Sequence, residues 1–205
     1  MMKPRLFSPL LLVPLCALLA QALTAETVRY TIAPAENTRL ALEVFKTRLM
    51  SGKAHLFLFH KYQGSLAYDT EAPGKSSVKL EIESGSLECA DTWVSAKDLP
   101  KIVAMAREDM LAVDKYPRMV FASSAVRAKG NGEFEVEGSL TIRELARPAL
   151  VIVKVRPGDN RELTLEGRST VKLRDYGLKP PSAALGMVGT KNEMEVSFVL
   201  RARPE

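Results

Sequence analysis

The stretch Glu133-Phe134-Glu135-Val136-Glu137-Gly138-Ser139-Leu140-Thr141-Ile142-Arg143 alternates apolar and polar side chains, with Gly138 keeping the apolar register. A period of two means a strand with one face turned to an apolar interior and the other to water. The pattern repeats on both sides. Leu163, Leu165, Val171 and Leu173 alternate with Glu162, Thr164, Glu166, Thr170 and Lys172; Met194, Val196, Phe198 and Leu200 alternate with Glu193, Glu195, Ser197 and Arg201. Shorter versions run through Leu40, Leu42 and Val44 and through Val78, Leu80 and Ile82. Turn signals at Pro73-Gly74, Gly130-Asn131-Gly132 and Pro157-Gly158-Asp159-Asn160 separate the runs, as in an antiparallel meander. Leu150 to Val153 is apolar on both faces, which predicts a further element packed over its outer side.

One segment departs from this period. Leu99, Ile102, Val103, Ala106 and Met110 fall at helical spacing, Ser95 followed by Asp98 has the form of a capping box, and Pro100 suits a first turn. The expected element is an amphipathic helix of about three to four turns, lying on the sheet or across one end of a barrel. The fold class is therefore all-β, an antiparallel barrel of about eight strands with one helix, in a single domain over residues 26–205.

The 205 residues carry 29 Lys+Arg against 24 Asp+Glu, with 46% hydrophobic and 26% charged residues, which excludes a disordered tail, a collagen repeat and a coiled coil. Residues 1–25 have a cationic start at Lys3 and Arg5, an apolar run from Leu10 to Ala20 and small residues at Ala20, Ala22 and Ala25. That is the layout of a secretory signal peptide, cleaved after Ala22 or Ala25, and it predicts a periplasmic or secreted protein. The run is too short, and too interrupted by Pro14, to span a bilayer, so no stable membrane span is expected after its removal. Cys89 is then the remaining cysteine. Its sequence neighbours include no His, Lys or Arg to activate it, so a buried, inert thiol is expected and no disulfide.

The side chains offer little chemistry. His55 and His60, five apart, make a poor chelating pair and read as ordinary surface or loop histidines, so no metal is expected. No zinc, phosphate-loop or nucleophile-elbow motif occurs, and no catalytic residue is assigned. Glu81 with Glu83 and Glu135 with Glu137 read as a solvated outer face. Acidic residues interleave with Arg127, Lys129 and Arg143, which argues against nucleic-acid binding. What remains is the apolar face, since an eight-stranded barrel is just wide enough to be filled by side chains or to hold one small ligand.

Three segments carry a resemblance. Asp114-Lys115-Tyr116-Pro117-Arg118-Met119-Val120-Phe121, Gly138-Ser139-Leu140-Thr141-Ile142-Arg143 with Arg147-Pro148, and Arg174-Asp175-Tyr176-Gly177-Leu178 occur in the order of signatures found in YceI-like proteins. The chain departs from that pattern at Asn37-Thr38, where a His-Ser pair is usual, and at Glu144, where glycine is usual. The resemblance implies a lipocalin-like barrel enclosing an amphiphilic isoprenoid or quinone-like lipid, with no other cofactor. By alternation the walls of such a carrier are Leu40, Leu42, Val44, Leu80, Ile82, Met119, Phe121, Phe134, Val136, Leu140, Val151, Val153, Leu163, Leu165, Met194, Val196 and Phe198, with Ile102, Met105 and Met110 on a helical lid. Two alternatives stay open: a structural or stress-protective interaction domain with a filled core, and an enzyme using His60, Tyr62 and Asp175 at one mouth. A homodimer also stays open.

Overall fold

The computed structural model describes residues 27–205; the segment read as a signal peptide lies outside the described residues. Eleven strands form one antiparallel sheet: β1 (Val28–Ala33), β2 (Arg39–Arg48), β3 (Ala54–Phe59), β4 (Tyr62–Tyr68), β5 (Ser77–Glu83), β6 (Leu87–Cys89), β7 (Arg118–Gly130), β8 (Glu133–Ile142), β9 (Leu145–Pro157), β10 (Leu163–Lys172) and β11 (Val188–Pro204). Eight close a ring in the order β1-β4-β5-β7-β8-β9-β10-β11, with β11 returning to β1.

The long strand β11 explains the other three. One of its edges pairs with β10, while the opposite edge pairs first with β2, from Val188 to Val199, and then with β1, from Arg201 to Pro204. β3 pairs with β2 as β4 pairs with β1, and β6 pairs with β3 as β5 pairs with β4. β2, β3 and β6 are thus the far halves of three interrupted strands, and the barrel is built of eight long strands, as the period-two pattern predicts. The interruptions have local causes. Between β1 and β2 the Thr38 hydroxyl accepts the Ala35 N–H at 3.0 Å and donates to the Ala35 carbonyl at 2.7 Å. Such side-chain bonds compete with a sheet ladder.

β7 to β11 form the expected meander, and its turn signals fall at hairpin connections. The β7–β8 and β8–β9 turns both have two residues; in the first these are Asn131 and Gly132, in the second Arg143 and Glu144, which sit in the left-handed region at φ 51° and 66°. A two-residue hairpin of this hand favours Asn-Gly, and an L side chain there costs roughly 1–2 kcal/mol. Glu144→Gly is therefore expected to raise stability by roughly 0.5–1 kcal/mol after the extra unfolded-state entropy of glycine is subtracted. Equilibrium denaturation would show this as a higher midpoint at unchanged slope.

The predicted helix is present, with one difference. α1 (Leu99–Ala104) continues as a π-helical segment, Met105–Met110, closed by the Leu111 N–H to the Ala106 carbonyl at 3.0 Å. The wider turn rotates less per residue, so Ile102, Ala106 and Met110, four apart, stay in line and all reach the interior. At its start the Ser95 hydroxyl accepts the Asp98 N–H at 3.2 Å and donates to the Asp98 carboxylate at 2.7 Å. The helix packs on β6, which ends the sheet, while β7 begins only at Arg118 opposite Glu83. It therefore stands in the wall where β6 has no next strand.

The second difference is on β9. Leu150 is 48% exposed, and among the described residues no element covers its face. Its cross-strand neighbour is Glu137, and that of Ile152 is Glu135, so acidic side chains flank the apolar pair.

Candidate functional site

The barrel encloses a cavity of about 680 Å³ whose wall is almost entirely apolar. Every wall residue assigned by alternation lines it except Leu163, and the helical Ile102, Met105 and Met110 line it too. Leu163 is buried but does not reach the hollow; it pairs with Ala202, which is fully buried and does not line the cavity either. Alternation identifies a face; it does not say how high along the barrel the hollow begins.

Several lining residues escaped the sequence pattern. Phe57 and Phe59 belong to the run Leu56-Phe57-Leu58-Phe59, which is continuously apolar and shows no period of two. Tyr176 and Leu178, which follow the alternating run that ends at Leu173, are buried in the connection to β11, which crosses the same end as the helix.

The wall's Lys46, at the end of β2, and His55, at the start of β3, stand at that end, with Thr190 at the start of β11 and Trp93 and Ser95 from the loop before the helix, while Tyr68, Ser76 and Ser77 bring hydroxyls to the other end. His55 is 7% exposed, not the surface or loop histidine expected. Its Nδ1 lies 2.5 Å from the Asp91 carboxylate, whose other oxygen accepts the Leu56 N–H at 2.8 Å. Its ring stacks on Trp93 at 5.2 Å, and the Trp93 indole N–H donates to the Ala54 carbonyl. Burial lowers the His55 pKa more than Asp91 raises it, so the neutral imidazole is favoured. Burial also lowers the Lys46 pKa, against the pull of Asp91.

Cys89 is buried beside this pair, and desolvation pushes its thiol up to about 11 from an ordinary 9.0. The thiolate fraction at pH 8 is then roughly 100-fold below that of an unperturbed thiol, and alkylation follows the thiolate. Iodoacetamide should therefore modify native Cys89 at least about 100-fold more slowly than the denatured chain, as followed by mass spectrometry.

His60, Tyr62 and Asp175 do not form a cluster. His60 is exposed and pairs with Glu88 at 3.0 Å, Tyr62 is buried, and Asp175 is exposed just beyond the C-terminal end of β10. Asp175 instead belongs to a frame made by the signature segments. Its carbonyl accepts from Arg147 at 2.7 Å, the Tyr176 hydroxyl donates to the Leu140 carbonyl at 3.1 Å, and the Arg143 guanidinium lies over the Tyr116 ring at 5.6 Å. Arg143 also reaches the Met110 carbonyl at the close of the helix. The three signatures thus hold the helix end of the barrel together.

A closed, lipocalin-like barrel with an apolar hollow is the class this geometry defines. Its sequence matches the YceI-like domain over residues 30–202, and the chain belongs to that family. UPF0312 proteins of Pseudomonas savastanoi pv. phaseolicola and Pseudomonas syringae pv. tomato are 27% and 28% identical over 146 residues, 68% of this chain and 70% of theirs. Among solved structures, Burkholderia cenocepacia BcnA superposes with a TM-score of 0.63 at 20% identity, over 80% of this chain and 95% of its own. The Campylobacter jejuni YCEI protein gives 0.53 at 15% identity, over 73% and 84%. These structural likenesses concern the fold. The fold suits a hydrophobic ligand.

Proposed function

We propose that this protein is an exported, non-enzymatic carrier that holds a long isoprenoid or quinone-like lipid inside the barrel. The observation that carries this reading is the apolar cavity of about 680 Å³, within the range of small-molecule sites. A filled core would close such a volume, since interiors are normally packed without voids larger than water. Each buried CH2 contributes about 0.8 kcal/mol, so ten give roughly 8 kcal/mol before ordering costs. Micromolar binding corresponds to about 8 kcal/mol net, so a chain of roughly twenty or more such groups reaches it without a charged anchor. The gathering of Lys46, His55, Trp93 and Thr190 near the helix supports a head group at that end and a tail toward the base.

Organic extraction of the protein, followed by mass spectrometry, should release an isoprenoid lipid, and lipid-stripped protein should bind added isoprenoid quinone. Phe121 lines the cavity and is part-buried. Phe121→Ala should lower lipid content while losing less stability than the roughly 3–5 kcal/mol expected for the same change in a filled core. A wild type that carries no lipid, binds no quinone and shows the full core penalty would replace the carrier reading with a structural domain. Export is tested by terminal sequencing of protein from the periplasm or medium, where the chain should begin at Leu23 or Glu26.

A further inference from the structure

The buried polar cluster has a composition that lipid binding does not require. His55, Cys89 and Asp91 come from β3, the end of β6 and the residue two beyond it, and their donor atoms lie within 4.8 Å of one another. We propose that these three side chains bind a divalent transition-metal ion of the zinc class in the barrel wall.

Three observations lead there. The donor set is one thiolate, one imidazole and one carboxylate, which favours zinc-class ions over magnesium or calcium. Ligand atoms around a tetrahedral zinc stand about 3.3–3.8 Å apart, given metal–ligand distances of about 2.0–2.3 Å, so the widest side of the present triangle has to close by about 1 Å while the 2.5 Å His55–Asp91 contact opens by a similar amount, both within reach of side-chain rotations. The Asp91 side chain is 1% exposed, and among the described residues no Lys or Arg nitrogen comes within 4.0 Å of it. A buried carboxylate is ordinarily paired with a cation or coordinates a metal.

The charges also balance. A +2 ion with a thiolate, a carboxylate and a neutral imidazole is net neutral, which suits an apolar wall. Coordination replaces the Cys89 thiol proton, and that proton leaves to solvent. His55 gives the ion a nitrogen lone pair and keeps its single ring proton on the other nitrogen. Lys46 is close enough for its charge to act on both Asp91 and His55, and that charge opposes an incoming ion until the neutral complex forms. His55 and Trp93 line the cavity, so an ion enters through the hollow and the fourth position is left to water or to a donor atom of a cavity ligand.

The test uses the tag-free, chelator-treated protein and Co2+ as an optical probe. Wild type should take up one Co2+ per chain, with a thiolate-to-metal charge-transfer band and the intense visible bands of a tetrahedral site, and Zn2+ should displace it while Mg2+ does not. Cys89→Ser should lose the charge-transfer band, and His55→Gln should weaken Zn2+ binding by at least about tenfold. His60→Gln should change neither. Circular dichroism of each variant shows whether it is folded. Wild-type protein that shows no thiolate–cobalt band at saturating Co2+ overturns the proposal whatever the variants do, and so does a band that survives in Cys89→Ser. Lipid extraction from the same samples reads the carrier function separately.

Discussion

Phe134→Asp is expected to yield no stably folded protein. Phe134 is 7% exposed on β8, lines the cavity and meets Tyr68 edge-on, with ring centroids 6.0 Å apart. Removing the ring costs about 3–5 kcal/mol by itself. The introduced carboxylate adds several kcal/mol more, because no basic side chain of the described wall stands near Phe134 to pair with it. Together these terms rival the roughly 5–15 kcal/mol that holds an ordinary domain together. Phe134→Leu, which keeps an apolar group, is the control and should fold with a lowered midpoint. Thermal unfolding followed by far-ultraviolet circular dichroism separates the cases. A folded Phe134→Asp with a midpoint close to that of Phe134→Leu would mean that water fills the hollow, and the carrier reading would then lose its apolar site.

How much of this was legible in the sequence follows from the physics of each part. The meander from β7 to β11 is long-stranded, and each strand has one wet and one dry face, so alternation reports it directly. The β3–β4 region does not alternate because Leu56 and Leu58, on the outward face, are half-buried as well. Cavity lining was largely legible, since any inward residue between the two ends must face the hollow. The His55–Cys89–Asp91 cluster was not. His55 is separated from Cys89 and Asp91 by more than thirty residues, and only the pairing of β3 with β6, which sets Phe57 against Cys89, brings them together. His55 and His60 lie on opposite faces of one extended segment, as a spacing of five predicts, which buries the first and exposes the second. Reading both as surface or loop histidines failed for His55 because nothing local in the sequence reports the loop and helix that cover its face.

Gly138 is the position where the smallest side chain should do the most damage. It lies on the inward face of β8, opposite Ser123, where β7 carries an extra residue before Ala125 pairs with Glu137. A bulge bends its strand toward the partner. A Cβ built on Gly138 would stand 2.4 Å from the Ala122 carbonyl oxygen and 2.8 Å from the Phe121 ring. Gly167 on β10 has a similar setting with the order reversed. There a Cβ meets the Phe198 ring first, at 2.4 Å, and the Ile152 carbonyl at 2.7 Å. In both places an aromatic ring on the neighbouring strand covers the glycine, which is how a curved sheet fills the space a missing side chain leaves. The difference lies in what must move. A ring can rotate about its side-chain bonds, whereas a carbonyl in a ladder moves only with its strand. Gly138→Val is therefore expected to cost about 3 kcal/mol or more, at or beyond the upper end of ordinary overpacking. Phe198→Leu should partly rescue Gly167→Ala, while Phe121→Leu should do little for Gly138→Ala. Denaturant midpoints of the singles and doubles give the two coupling energies. Equal rescue at both sites would show that the rings, and not the bulged backbone, set the requirement for glycine, and the cavity's shape would then depend on two side chains alone.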